Sequence, residues 1–75
     1  MSAYDYEVDV RPLSEMLGGG YVATVPELPG CMSDGETPEE ALTNAYDAAT
    51  NWLETARLIG KPIPAPKPAE LREYA

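Results

Sequence analysis

An α+β fold, with a three-stranded antiparallel sheet packed on one long helix in the order β-β-β-α, is what this sequence of 75 residues predicts. Three observations carry the prediction. Apolar and charged residues alternate near the amino terminus, two further short strand-like runs lie between turn residues, and the apolar residues from Pro38 to about Ile59 recur at helical spacing.

In the first run Tyr4, Tyr6, Val8 and Val10 alternate with Asp5, Glu7, Asp9 and Arg11, the period-2 pattern of a strand with one face in the core and one in water. The expected strand spans Tyr4 to Arg11, and Pro12, which has no N–H to offer the ladder, stops it. Ser14 to Gly20 is a flexible connection whose three consecutive glycines lack the spacing of a phosphate-binding loop. Tyr21 to Val25 is the second strand, with Tyr21, Ala23 and Val25 on one face and Val22 and Thr24 on the other. Both faces are partly apolar, so this strand belongs at the centre of the sheet or has its second face covered by another molecule. Pro26 ends it and Pro29 fixes a second bend. Gly30 supplies a positive φ that sends the chain into a short third strand from Cys31 to Asp34.

The helix start is the clearest local signal. Thr37 can accept from the free amides of the first turn, Pro38 occupies the first helical position at no cost, and Glu40 stands three residues after Thr37 as a capping-box partner. Ala41, Leu42, Ala45, Ala48, Ala49, Trp52, Leu53 and Ala56 then form one apolar stripe, with small alanines for close approach and Trp52 as the large anchor. Gly60 suits the carboxy-terminal cap, and Arg57 and Lys61 suit the negative end of the helix dipole. In the tail, Pro62, Pro64, Pro66 and Pro68 fall on every second residue. That spacing fits a one-sided fourth edge strand over Ile63 to Lys67, and it equally fits a polyproline-II arm.

The whole chain, 1–75, reads as one domain, with 69–75 as a mobile tail. A core this small supplies only about 3–5 kcal/mol, so domains of this size lean on disulfides, metals or partner subunits. The single Cys31 cannot close an intrachain disulfide, and without histidine there is no ligand cluster for zinc or a redox metal. No cofactor or metal is expected, and a homo-oligomer is. No apolar run is long enough to span a membrane and the amino terminus is acidic rather than signal-like, so the expected location is cytoplasmic. A formal net charge of −8 repels phosphate, which argues against nucleic acid as a direct ligand and favours a basic protein partner.

Catalysis finds little support. Cys31, Ser33 and Thr37 have no histidine to activate them, and Cys31 reads as a packed core thiol. Asp5, Glu7 and Asp9 share the polar face of the first strand, a spacing that a two-metal nuclease site could use, but the helix lies on the opposite face and Glu40 already serves as a cap. The solvated-face reading is preferred. The expected partner-binding surface is instead Asp5, Glu7 and Asp9, which attract a basic protein, together with the proline-ordered turn Pro26, Glu27, Leu28, Pro29 and Gly30. Leu28 is expected to project from that turn as a rigid apolar contact.

The run YVATVPELPG, the C-x-S-x-G-x-T-x-E-E-A passage from Cys31 to Ala41 and the KPIPAP exit, in that order, resemble the amino-terminal domain of HicB-type antitoxins. The similarity covers Tyr4 to about Pro66. It implies a partial RNase H-like fold and a role as inhibitor of a HicA-type toxin, a small basic ribonuclease with a double-stranded-RNA-binding fold, whose active site the antitoxin covers. Larger members carry a DNA-binding module after the exit; this chain ends at Ala75, and operator binding is not expected of it. Two other readings stay open, a stand-alone homo-oligomeric domain with another regulatory partner and, more remotely, a metal-dependent nuclease.

Overall fold

The computed structural model describes residues 2–66. Strand β1 spans Asp9–Pro12, β2 Tyr21–Thr24 and β3 Met32–Gly35, and helix α1 covers Pro38–Ile59. The sheet is antiparallel in the order β1-β2-β3. This is the expected α+β arrangement, with the two-faced second strand at its centre.

Helix α1 starts where its residues dictate. Thr37 Oγ1 accepts the Glu40 N–H at 3.1 Å, and Pro38 follows at the first helical position. Glu40 reaches one residue further back than a capping box requires, its Oε1 accepting from Glu36 N–H at 3.2 Å. The fully buried stripe is Ala41, Ala45, Ala49, Leu53 and Ala56. Leu42, Ala48 and Trp52 are half-buried flanks of it, so Trp52 is a rim residue and not the central anchor that its size suggests.

The helix lies chiefly over β3 and β2, and Gly35 lets it come close. A Cβ there would stand 2.5 Å from the Ala41 amide nitrogen and 2.9 Å from the Glu40 carbonyl carbon, both backbone atoms held by the helix. A turn further on, Asn44 donates its Nδ2–H to the Asp34 carbonyl at 2.8 Å. The period-2 pleat then fixes the faces: Val10, Ala23 and Ser33 share Gly35's side beneath the helix, while Arg11, Val22 and Asp34 share the opposite, open side.

The first strand is shorter than its alternation predicts. Ala3–Asp5 forms a single 3-10 turn and pairing begins only at Asp9. The reason lies in β2, which runs from Tyr21 to Thr24 and is followed at once by the turn, leaving residues before Asp9 with no strand to pair with. That segment packs on the helix instead. The ring of Tyr4 lies 4.7 Å from that of Tyr46, although Tyr4 stays 74% exposed, and Tyr6 goes into the core at 2%. At its other end β1 includes Pro12, opposite Tyr21. Residues 61–66 make no strand pairing; Ile63 rests against the core. The remainder of the expected edge strand, Lys67, and the tail at 69–75 lie outside the described residues.

Gly35→Ala should lower stability by about 1–3 kcal/mol, since a backbone contact cannot relax by rotamer change. Urea melts of the variant measure it, and an unchanged midpoint would show that the helix and β3 have room to separate.

Candidate protein-interaction surface

The turn after β2 is closed by its own backbone. Val25 N–H bonds the Cys31 carbonyl at 3.0 Å, Leu28 N–H bonds that of Val25 at 3.1 Å, and Cys31 N–H bonds that of Leu28 at 2.9 Å. Gly30 makes this closure possible with φ near +79°. Folding the turn this way drives Leu28 inward to 1% exposure, among Val25, Cys31 and the helix alanines. Leu28 is therefore not presented to a partner, contrary to expectation. Apolar burial outweighs exposure wherever a turn overlies a core. Pro26, Pro29 and Gly30 are exposed and Glu27 is half-buried. Trp52 ties the turn to α1 by donating its Nε1–H to the Pro29 carbonyl at 2.9 Å, with Lys61 Nζ 4.9 Å from the centre of its ring. Between this turn, β3 and the helix runs a groove of about 410 Å³, lined by Cys31, Met32, Trp52, Ala56, Ile59 and Lys61 among others.

The three acidic residues read as one strand face do not form one. Asp5 closes the 3-10 turn, its carboxylate accepting the Ser2 N–H at 2.9 Å. Glu7 lies in the extended stretch that follows, and only Asp9 belongs to a strand, half-buried on the open side of the sheet. What the fold brings together is a different set around Tyr6. The Tyr6 hydroxyl donates to the carbonyl of Pro64. Burial raises its phenol above the ordinary value, the nearby carboxylates of Glu27 and Asp5 raise it further, and the Arg57 guanidinium opposes them. The amino-terminal segment, the turn, the end of α1 and the proline exit thus converge around Tyr6, which has two carboxylates and one guanidinium within electrostatic reach. Sequence reasoning takes Tyr6 for one more core residue. A buried tyrosine must find an acceptor, but nothing in the sequence points to Pro64.

Cys31 is buried, which raises its thiol above the ordinary value, and burial of this kind favours the uncharged thiol over the thiolate. Among the described residues no group of three or more His, Cys, Asp or Glu could hold a metal ion, and no helix is long and apolar enough to cross a membrane.

Residues 6–75, which take in the turn, the helix and the exit, match the model of a family described as the HicB-like antitoxin of bacterial toxin-antitoxin systems. The chain belongs to the HicB-like antitoxin family. Its relatives include a UPF0150 protein of Synechocystis, 38% identical over 81% of this chain and 80% of the relative. Another, a UPF0150 protein of Thermoplasma acidophilum, is 37% identical over 76% and 83%. A protein named Antitoxin HicB 1, from Photorhabdus laumondii, is 36% identical over 84% of this chain but only 39% of its own length. No solved structure gives a significant match. Within the HicB-like domain the motif VPELPG has a structural meaning: its leucine plugs the core while its prolines and glycine shape the exposed rim.

Two measurements check this site. Leu28→Ala should cost about 2–5 kcal/mol, comparable to the whole stability of such a domain, and a native-like thermal melt would place Leu28 outside the core. Tyr6→Phe should cost about 1 kcal/mol at neutral pH. Because the folded phenol ionises above its unfolded value of 10.0, its contribution is complete below that pH and is lost as pH rises through the folded value. The alkaline loss of stability should accordingly be shallower in Tyr6→Phe than in the parent.

Proposed function

We propose that this HicB-like domain acts as an antitoxin: it binds a basic HicA-type ribonuclease toxin and covers its active site, without nuclease activity of its own. The observation that carries the reading is the net charge of −8, with the carboxylates of Asp5 and Glu27, from distant parts of the chain, both within electrostatic reach of Tyr6 beside Arg57. Family membership supplies the class of partner. Glu7 and the exposed Pro26, Pro29 and Gly30 extend this surface. Acidic groups steer a basic partner and speed encounter, and a turn already closed by three backbone hydrogen bonds loses little freedom on docking. The cytoplasm is where such a toxin meets its RNA.

The test mixes the purified chain with a HicA-type toxin encoded beside its gene and follows RNA cleavage and association. The parent should suppress cleavage. Asp5→Lys with Glu7→Lys should slow association about tenfold or more at low salt and flatten its salt dependence. Equal association rates for parent and variant would remove these carboxylates from the interface, and RNA cleavage by the toxin that continues undiminished in the presence of the folded parent would remove the antitoxin reading.

A further inference from the structure

Among the described residues the sheet has two free edges, β1 and β3, and each carries features that oppose a further strand. Leu13 N–H reaches the Gly20 carbonyl at 2.8 Å, so in β1 the odd-numbered residues turn their amides towards β2 and the even-numbered ones point outward. Pro12 is one of the outward residues and has no N–H. On β3 the same logic, set by Val25 N–H on the Cys31 carbonyl, points Met32 and Asp34 outward. There the Asp34 carbonyl is taken by Asn44, and the next outward amide, that of Glu36, by the Glu40 carboxylate. Growth of the sheet at either edge is disfavoured.

The open face is different. Directly across its three strands lie Arg11, Val22 and Asp34, a cation, an apolar centre and an anion in one row. The neighbouring row is Asp9, Thr24 and Met32, and Met32 is 58% exposed. Among the described residues Arg11 forms no ion pair within its own chain. Turned by a two-fold axis parallel to the strands, this row is its own complement. Such an axis lays β1 of one copy over β3 of the other and Val22 over Val22 of the partner subunit. It sets Arg11 against Asp34 of the partner subunit, and Asp34 against Arg11 of the partner subunit. A two-fold axis across the strands would instead oppose like charges.

We propose that the open sheet face is the contact for a second copy of this chain, packed face to face about a two-fold axis parallel to the strands, with Val22 at the centre and two reciprocal Arg11–Asp34 pairs. Aligned sheets pack about 10 Å apart, a gap that an arginine side chain spans. The isologous geometry doubles the effect of every residue, so each charge reversal breaks two pairs. The surface lies on the side of the sheet away from α1, and it is independent of whether the partner at the Tyr6 end is a toxin.

The experiment is sedimentation equilibrium of the full chain at tens to hundreds of micromolar, with circular dichroism melts to confirm folding. The parent should have twice the 8.1 kDa chain mass. Arg11→Asp and Asp34→Arg, both at exposed positions, should each weaken self-association by about tenfold or more, and the double variant should recover it because the pairs re-form with reversed sign. A monomeric parent overturns the proposal. So do single variants that associate as the parent does, or a double variant no better than the singles.

Discussion

Everything in this domain hangs on how closely one helix can approach one strand. The approach is set where α1 begins, with the backbone of Glu40 and Ala41 standing over Gly35 at a distance no side chain could share. The alanines at positions 41, 45 and 49 continue the same close contact along the helix, and Leu53 fills the space that opens towards its far end. A second glycine supports the first: a Cβ on Gly20 would meet the Gly35 carbonyl oxygen at 2.7 Å. Small residues give tight packing and little apolar area. A core made this way is dense but contributes little free energy, so the domain draws heavily on the large residues at its end, Tyr6, Leu28 and Leu53.

That division explains why the proline-rich turn and the amino-terminal segment fold as they do. Each supplies one large side chain to the end of the core that the alanines cannot fill. Having given up Leu28 and Tyr6 to the interior, the two segments leave the prolines and Asp5 exposed, with Glu27 and Glu7 half-buried beside them. Under the proposed function, stability and recognition are thereby coupled in adjacent residues. The same coupling accounts for the position of Trp52, which serves as a strut to Pro29 and not as core.

The helix covers one face of a thin sheet, and nothing among the described residues covers the other. In a molecule whose edges are stopped by Pro12, Asn44 and Glu40, that face is the surface with both apolar and complementary charged groups left to use. Built from different residues, the proposed partner surface near Tyr6 and the self-complementary sheet face would let two copies associate while each keeps the former open.

The sequence by itself determined the local elements, because their signals are local. Thr37, Pro38 and Glu40 mark a helix start within four residues, the alanine period marks its buried side, and Pro26 and Gly30 mark a turn whatever lies around them. The order of strands and the central place of β2 were legible too, since a strand apolar on both faces has few other places to go. Only the tertiary structure decided the rest. Alternation from Tyr4 to Arg11 is a necessary condition for a strand but not a sufficient one, and the pairing ends at Asp9 because β2 ends opposite it. Leu28 looks like a projecting contact when the turn is considered alone and becomes a core residue once the helix lies beneath it. The gathering of Tyr6, Glu27, Arg57 and Pro64 depends on contacts between residues as many as 58 positions apart, and a one-dimensional pattern contains no information on which distant groups will meet.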